Sequence, residues 1–104
     1  MSSVTHTVLI RFRPDVSAAQ RDAAISDLGG LKDQIPGILS FSGGSNMSTE
    51  GLNQGFTHGF VMTFADVAAR DRYLTHPEHE ATKARVLPLV DGGFRGVLVL
   101  DWEA

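Results

Sequence analysis

The sequence predicts an α+β domain of the ferredoxin-like split βαββαβ type, with a four-stranded antiparallel sheet carrying helices on one face. Apolar residues alternate along four segments and recur at helical spacing between them, in the order strand, helix, strand, strand, helix, strand. Turn-forming residues at Pro14, Pro36-Gly37 and Gly92-Gly93 separate these segments. A length of 104 residues, 42% of them hydrophobic and 20% charged, suits one folded domain over 1–104 and leaves no room for a second.

The first strand is expected over residues 5–13, where Val8, Ile10 and Phe12 alternate with more polar neighbours and Pro14 ends the run. Ser17-Ala18-Ala19-Gln20 then has the form of a capping box. Ala24, Ile25, Leu28 and Leu31 follow at helical spacing, and Gly29-Gly30 weakens or stops that helix. A turn at Ile35-Pro36-Gly37 leads to a short strand over 38–42. Gly43-Gly44-Ser45-Asn46 reads as a bulge or turn. It lacks the glycine spacing, the lysine and the strand-to-helix context of a phosphate cradle.

The clearest strand covers 56–64, with Phe56, His58, Phe60, Met62 and Phe64 on one face. Asp66 is suited to cap a helix over 67–74. His76-Pro77 interrupts it, and Pro77 suits the first turn of a further helix ending near Leu87. Gly92-Gly93 turns the chain into a last strand over 94–102. In this reading the even-numbered residues of strands one, three and four face the helices. Leu9, Leu39, Phe41, Val61, Val97 and Val99 then lie on the outer face with Thr5, Thr7, Thr57 and Thr63. That face is too apolar to stand in water, so a second sheet from an identical subunit is expected to cover it, giving a homodimer.

Nine basic against twelve acidic residues, a net charge of −3, disfavour a nucleic-acid or anionic-membrane partner. The absence of cysteine excludes disulfides, thiolate metal sites and a cysteine nucleophile. A small secreted domain usually carries such staples, so a cytoplasmic location is expected. The amino terminus reads as no signal peptide, and no apolar run is long enough to span a bilayer. The serines form no nucleophile-elbow pattern.

The order of elements, the opening His6-Thr7-Val8-Leu9-Ile10-Arg11-Phe12, the strand start Gly55-Phe56-Thr57-His58 and the segment His76-Pro77-Glu78-His79 together resemble the stress-responsive alpha/beta-barrel (Dabb) domain family. The resemblance covers nearly the whole chain and implies a dimeric α/β barrel. The family is functionally mixed: some members are stress-associated proteins with no settled reaction, and one plant member is a polyketide cyclase. The resemblance places that cyclase's acid/base pair on Tyr73 and His79 and its two supporting histidines on His6 and His58. It implies cofactor-free cyclase or isomerase chemistry on a small carbonyl compound. The alternative is a non-enzymatic, stress-responsive protein that binds a ligand or serves structurally. The chain departs from the cyclase at Ala24, Ile25 and Leu28, where that enzyme has bulky aromatics, and at Thr82 and Lys83 on the third-helix wall. A long alkyl-tailed polyketide does not carry over.

Each candidate also has a structural reading. His6 and His58 share strand parity with the helix-facing side, where they orient a carbonyl or are simply satisfied, half-buried histidines. His79 falls in the first turn of a helix, whose dipole disfavours imidazolium, while Glu78 and Glu80 favour it. Tyr73 either donates to a carbonyl or packs its ring with a wet hydroxyl. His76 and His79 sit three apart, but no set of three or four converging ligands is legible, so neither metal nor cofactor is expected. Arg70, Arg72, Lys83 and Arg85 read as a solvated face, one member of which could bind an acidic substrate at a pocket mouth.

Overall fold

The computed structural model describes residues 2–104. Its elements are β1 (Val4–Ile10), α1 (Ala18–Gly29), β2 (Ile38–Ser45), β3 (His58–Phe64), α2 (Val67–Leu74), α3 (Pro77–Val86) and β4 (Val97–Glu103), with 3₁₀ turns at Gly30–Asp33, Leu87–Leu89 and Gly93–Gly96. The four strands form one antiparallel sheet in the order β2-β3-β1-β4, the expected split arrangement. Among the described residues no helix is long and apolar enough to cross a membrane.

Local sequence explains most boundaries. Ser17 and Gln20 form the reciprocal capping box at the start of α1. Asp66 caps α2 by accepting from the Ala69 amide at 2.8 Å. Caps of this kind contribute about 1 kcal/mol each. Pro77 occupies the first turn of α3, where its missing N–H has no partner to lose. His76 caps the same helix by accepting from the Glu78 amide. Gly37 holds a φ of 98° in the turn before β2, and a side chain there would meet the Cβ of Ala69.

Pairing in register makes Val4, His6, Val8 and Ile10 of β1 and His58, Phe60, Met62 and Phe64 of β3 one continuous face. All eight are buried there under the helices, with Leu28, Leu31, Ile35, Ala69 and Tyr73 supplying the other half of the core.

Two expectations require correction. Gly43, Gly44 and Ser45 are neither bulge nor turn but continue β2, paired with Phe60, Gly59 and His58; the irregularity lies between Ile38 and Ser40. Glycine suits position 43 because a Cβ would come within 2.8 Å of the Phe60 Cβ and 3.2 Å of the Ile25 Cγ2. The second correction concerns parity. Val97 pairs with Ile10 and Val99 with Val8, which puts both on the helix side, and Phe41 stacks on Phe60 within the core. The outer face is instead built by Leu98, Leu100 and Trp102, opposite Leu9, Thr7 and Thr5. The 3₁₀ turn over Gly93–Gly96 starts β4 later than expected, and the pairing with β1 sets its phase. The outer face remains apolar: Leu98, Leu100 and Trp102 are 43%, 58% and 49% exposed.

Replacing Gly43 with alanine should destabilise the domain by about 1–3 kcal/mol through overpacking against Phe60 and Ile25. A lowered urea midpoint at unchanged slope would show this; an unchanged midpoint would mean that α1 yields without strain.

Candidate functional site

The site grows out of the break between α2 and α3. Tyr73 lies in the last turn of α2, and His79 is the third residue of α3. Between them, the His76 cap and Pro77 turn the chain so that the two rings stack, with centroids 4.2 Å apart and planes at 27°. From the sheet, His6 of β1 approaches Tyr73 edge-on at 5.8 Å. Phe64 packs against both rings, 5.0 Å from Tyr73 and 5.8 Å from His6.

His6, Tyr73 and His79 line one cavity of about 270 Å³. Its remaining wall is almost wholly apolar: Val8, Ile10 and Phe60 from the sheet, Leu28 from α1, Val86 and Leu87 at the end of α3, and Val97 and Val99 from β4. Phe94, 69% exposed, stands on its rim. Thr82, expected on this wall, is instead buried and accepts from the Arg85 guanidinium at 3.1 Å. Ala24 and Ile25 belong to the core rather than the cavity lining.

Burial sets the protonation states. It pushes the Tyr73 phenol well above its usual range, so Tyr73 is a neutral donor at neutral pH. It also lowers the pKa of His79; the Leu74 carbonyl opposes this, whereas the nearby Lys83 charge reinforces it. The sequence left the sign of that shift open, and the burial of the ring decides it. His79 Nδ1 lies 3.3 Å from the Leu74 carbonyl oxygen, so a hydrogen on Nδ1 would leave Nε2 as the basic nitrogen.

Two residues that sequence reasoning missed complete the corner. Asp101 of β4 pairs in register with His6, and its Oδ1 lies 2.7 Å from His6 Nδ1. Its other oxygen accepts from Arg70 of α2, also at 2.7 Å. Burial works against ionisation of Asp101, but the Arg70 guanidinium and the His6 ring N–H outweigh it and hold the carboxyl below its ordinary pKa. An ionised carboxylate has no proton to donate, so His6 carries its hydrogen on Nδ1 and leaves Nε2 for the cavity. The signal for Asp101 was the phase of β4: only the correct parity puts it across from His6. Arg70, taken for part of a solvated face, is thereby tied to the sheet.

His58 does not join this group. It pairs with Ile10 at the far end of β1, packs edge-on against Phe12 at 5.0 Å, and is absent from the cavity lining. Its Nδ1 lies 3.0 Å from the Thr57 hydroxyl. Its Nε2 is buried without a hydrogen-bond partner, and Asp22 Oδ1 at 3.7 Å is too distant to supply one. Sharing a strand face was enough to bury both histidines but not to bring them together. Among the described residues no group of three or more His, Asp or Glu side chains could hold a metal ion.

A small α+β domain with an apolar cavity, closed at one end by a phenol and two imidazoles, is the class that this fold and site define. The family model described as the stress responsive A/B barrel domain (Dabb) matches residues 4–104, and the chain belongs to that family. It is 32% identical over 100 residues to the stress-response A/B barrel domain-containing protein HS1 of Arabidopsis thaliana, covering 96% of this chain and 88% of the relative. It is 25% identical over 77 residues to olivetolic acid cyclase of Cannabis sativa, covering 74% and 76%. Among solved structures, a dimeric ferredoxin-like protein of unknown function from Jannaschia sp. CCS1 superposes with a TM-score of 0.85 at 29% identity, covering 98% of this chain and 99% of that one. The hydroxynitrile lyase of Passiflora edulis gives 0.86 at 25% identity, covering 98% and 93%.

Burial also holds the His58 pKa below the ordinary histidine value, against the opposing pull of Asp22. The unfolded chain therefore takes up its proton first as pH falls, so His58 stabilises the fold fully only above pH about 6.5. That contribution should fade as pH drops from there to the folded-state pKa. Thermal melts across this range should show a slope that flattens in His58→Gln; an equal slope in both proteins would mean that His58 is not the titrating group.

Proposed function

We propose that this protein is a homodimeric, cofactor-free acid/base catalyst of the cyclase or isomerase kind, acting on a small carbonyl compound. The observation that carries this reading is the apposition of Tyr73 and His79, stacked 4.2 Å apart at the polar end of an apolar cavity. Burial drives their pKa values in opposite directions, leaving a neutral hydroxyl donor beside an unprotonated imidazole. An enolisable substrate needs both.

With a carbonyl against Tyr73, His79 takes the proton on the adjacent carbon. The C–H electron pair becomes the carbon–carbon double bond of the enolate, and the carbonyl π pair moves onto oxygen, which the Tyr73 O–H stabilises. His6, oriented by Asp101 and Arg70, has Nε2 free as a second proton acceptor, and the proton held by His79 is the one returned. Where a β,γ double bond extends the enolate to a dienolate, reprotonation from His79 at the γ-carbon completes an isomerisation. Attack of the enolate carbon on a second carbonyl of the same molecule closes a ring, with the proton on His79 passing to the new alkoxide. A cyclase and a lyase among the proteins this chain resembles support chemistry of this kind on the fold. His58 lies too far along the sheet to share in the step.

The outer sheet face supports the homodimer. Leu98, Leu100, Trp102 and Val61 form an exposed apolar surface, and the Thr7 hydroxyl is buried beside them without a partner. A second copy stacked on this face would bury it, and a structural neighbour is described as dimeric. The double variant Leu98→Asp with Leu100→Asp should sediment as a folded monomer; a surviving dimer would place the contact elsewhere.

Catalysis is tested by deuterium exchange at the α-carbon of small ketones and aldehydes in D2O. Tyr73→Phe keeps the buried ring, and His79→Gln removes the base. Each should slow exchange roughly 10²–10⁴-fold while the melting curve stays close to that of the unaltered protein. Folded variants with undiminished exchange, or an unaltered protein no faster than buffer, would favour the ligand-binding alternative. The rate should rise with pH below about 6.5, as His79 loses its proton, and then hold level to about pH 10, since burial keeps the Tyr73 phenol protonated beyond its usual range. A falling limb near neutrality would exclude Tyr73 as the donor.

A further inference from the structure

Among the described residues Lys83 is the only lysine or arginine lining the cavity. It follows His79 by four positions in α3, so the two side chains share one helix face, with Cβ atoms about 5–6 Å apart. Its side chain is part of the cavity lining and its ammonium is 3.0 Å from Glu80, which is itself half exposed. An ion pair of that kind, exposed and screened, exchanges readily for a better one. Of the other basic side chains of these helices, Arg70 is bound to Asp101 and Arg85 to Asp27 through two hydrogen bonds of 2.8 and 2.9 Å, and Arg72 of α2 does not line the cavity. Lys83 is thus the cation that the cavity lining offers a ligand, one helical turn from the proposed base.

We infer that Lys83 forms an anion subsite, and that the compound taken by this site is a small oxo acid with an apolar body. Its carboxylate meets Lys83, its carbonyl meets Tyr73 and His79, and its apolar part lies against Phe94, Val97 and Val99. The separation restricts the class. One turn of helix advances about 5.4 Å, a span that a carboxylate and carbonyl a few bonds apart, as in a 2-oxo or 3-oxo acid, can bridge. The volume restricts it further, because about 270 Å³ lies below the range that accommodates drug-sized ligands. The Lys83 charge also opposes protonation of His79, so the cation that holds the carboxylate helps to keep the base free.

This inference rests on the proposed reading of the cavity, and a binding experiment separates the two. The probes are phenylpyruvate and its methyl ester, matched except for the charge. Each is titrated into the protein by calorimetry while the His79 ring resonances are followed by NMR. The acid should bind roughly tenfold more tightly than the ester, and Lys83→Met should remove that preference without weakening the ester. Lys83→Arg should retain it, and Glu80→Gln, which frees the ammonium, should strengthen it. Equal affinity for acid and ester, loss of both in Lys83→Met, or no shift at His79 with either probe would overturn the inference. Acid-selective, Lys83-dependent binding without deuterium uptake at the methylene of phenylpyruvate would leave the subsite standing and remove the catalytic reading instead.

Discussion

The register of β1 between β3 and β4 is the constraint on which the rest of the molecule depends. As an inner strand, β1 is bonded on both sides, and its two pairings together decide which face the residues of β3 and β4 share with its own. Against β3 the register builds the buried surface that the helices cover. Against β4 it sets Asp101 opposite His6 and Val99 opposite Val8, which creates the polar corner and the wall beside it. A slip of one residue would turn His6 outward and replace Asp101 with an apolar neighbour.

Given that register, the helices supply what the sheet lacks. The apolar ring of Phe64 beneath Tyr73 and His6 keeps water from the corner. Low polarity favours neutral forms, so both Tyr73 and His79 hold the uncharged state that suits their proposed roles. Arg70 answers the opposite need. Asp101 has to be charged in partly buried surroundings, and the guanidinium from α2 balances it while fastening that helix to the sheet. Electrostatics and packing are therefore not separable here, because Asp101 serves at once as a tie between layers and as the group that orients His6.

Much of this was legible in the chain. The capping box at Ser17 and Gln20, the cap at Asp66 and Pro77 at a helix start are local signals, and local signals survive folding. The alternation through Val8, Phe60 and Met62 was equally plain, because polar neighbours interrupt it. Val97-Leu98-Val99-Leu100 carries no such interruption: both parities are equally apolar, and only pairing with β1 chooses between them. That ambiguity hid Asp101 and reversed the two faces of β4, while Leu9, Thr7 and Val61 stand on the outer face as expected and Leu98, Leu100 and Trp102 replace Val97 and Val99 beside them. Gly43 misled for a related reason. A glycine pair resembles a turn unless the helix packed across it is known. His58 shows the limit of face arguments, since residues sharing a face can still lie far apart along it.

The cavity draws its chemistry and its shape from different places. Tyr73, His79, His6 and Asp101 come from the α2–α3 break and the centre of the sheet. Leu28, Val86, Leu87 and Phe94 come from a separate helix, a helix end and two turns. Substitutions in the second group can enlarge, narrow or reopen the space without disturbing the first. Under the proposed function, such a division would let a lineage exchange one substrate for another by single steps while the acid and base stay in place. A cyclase and a lyase both stand among the proteins similar to this chain.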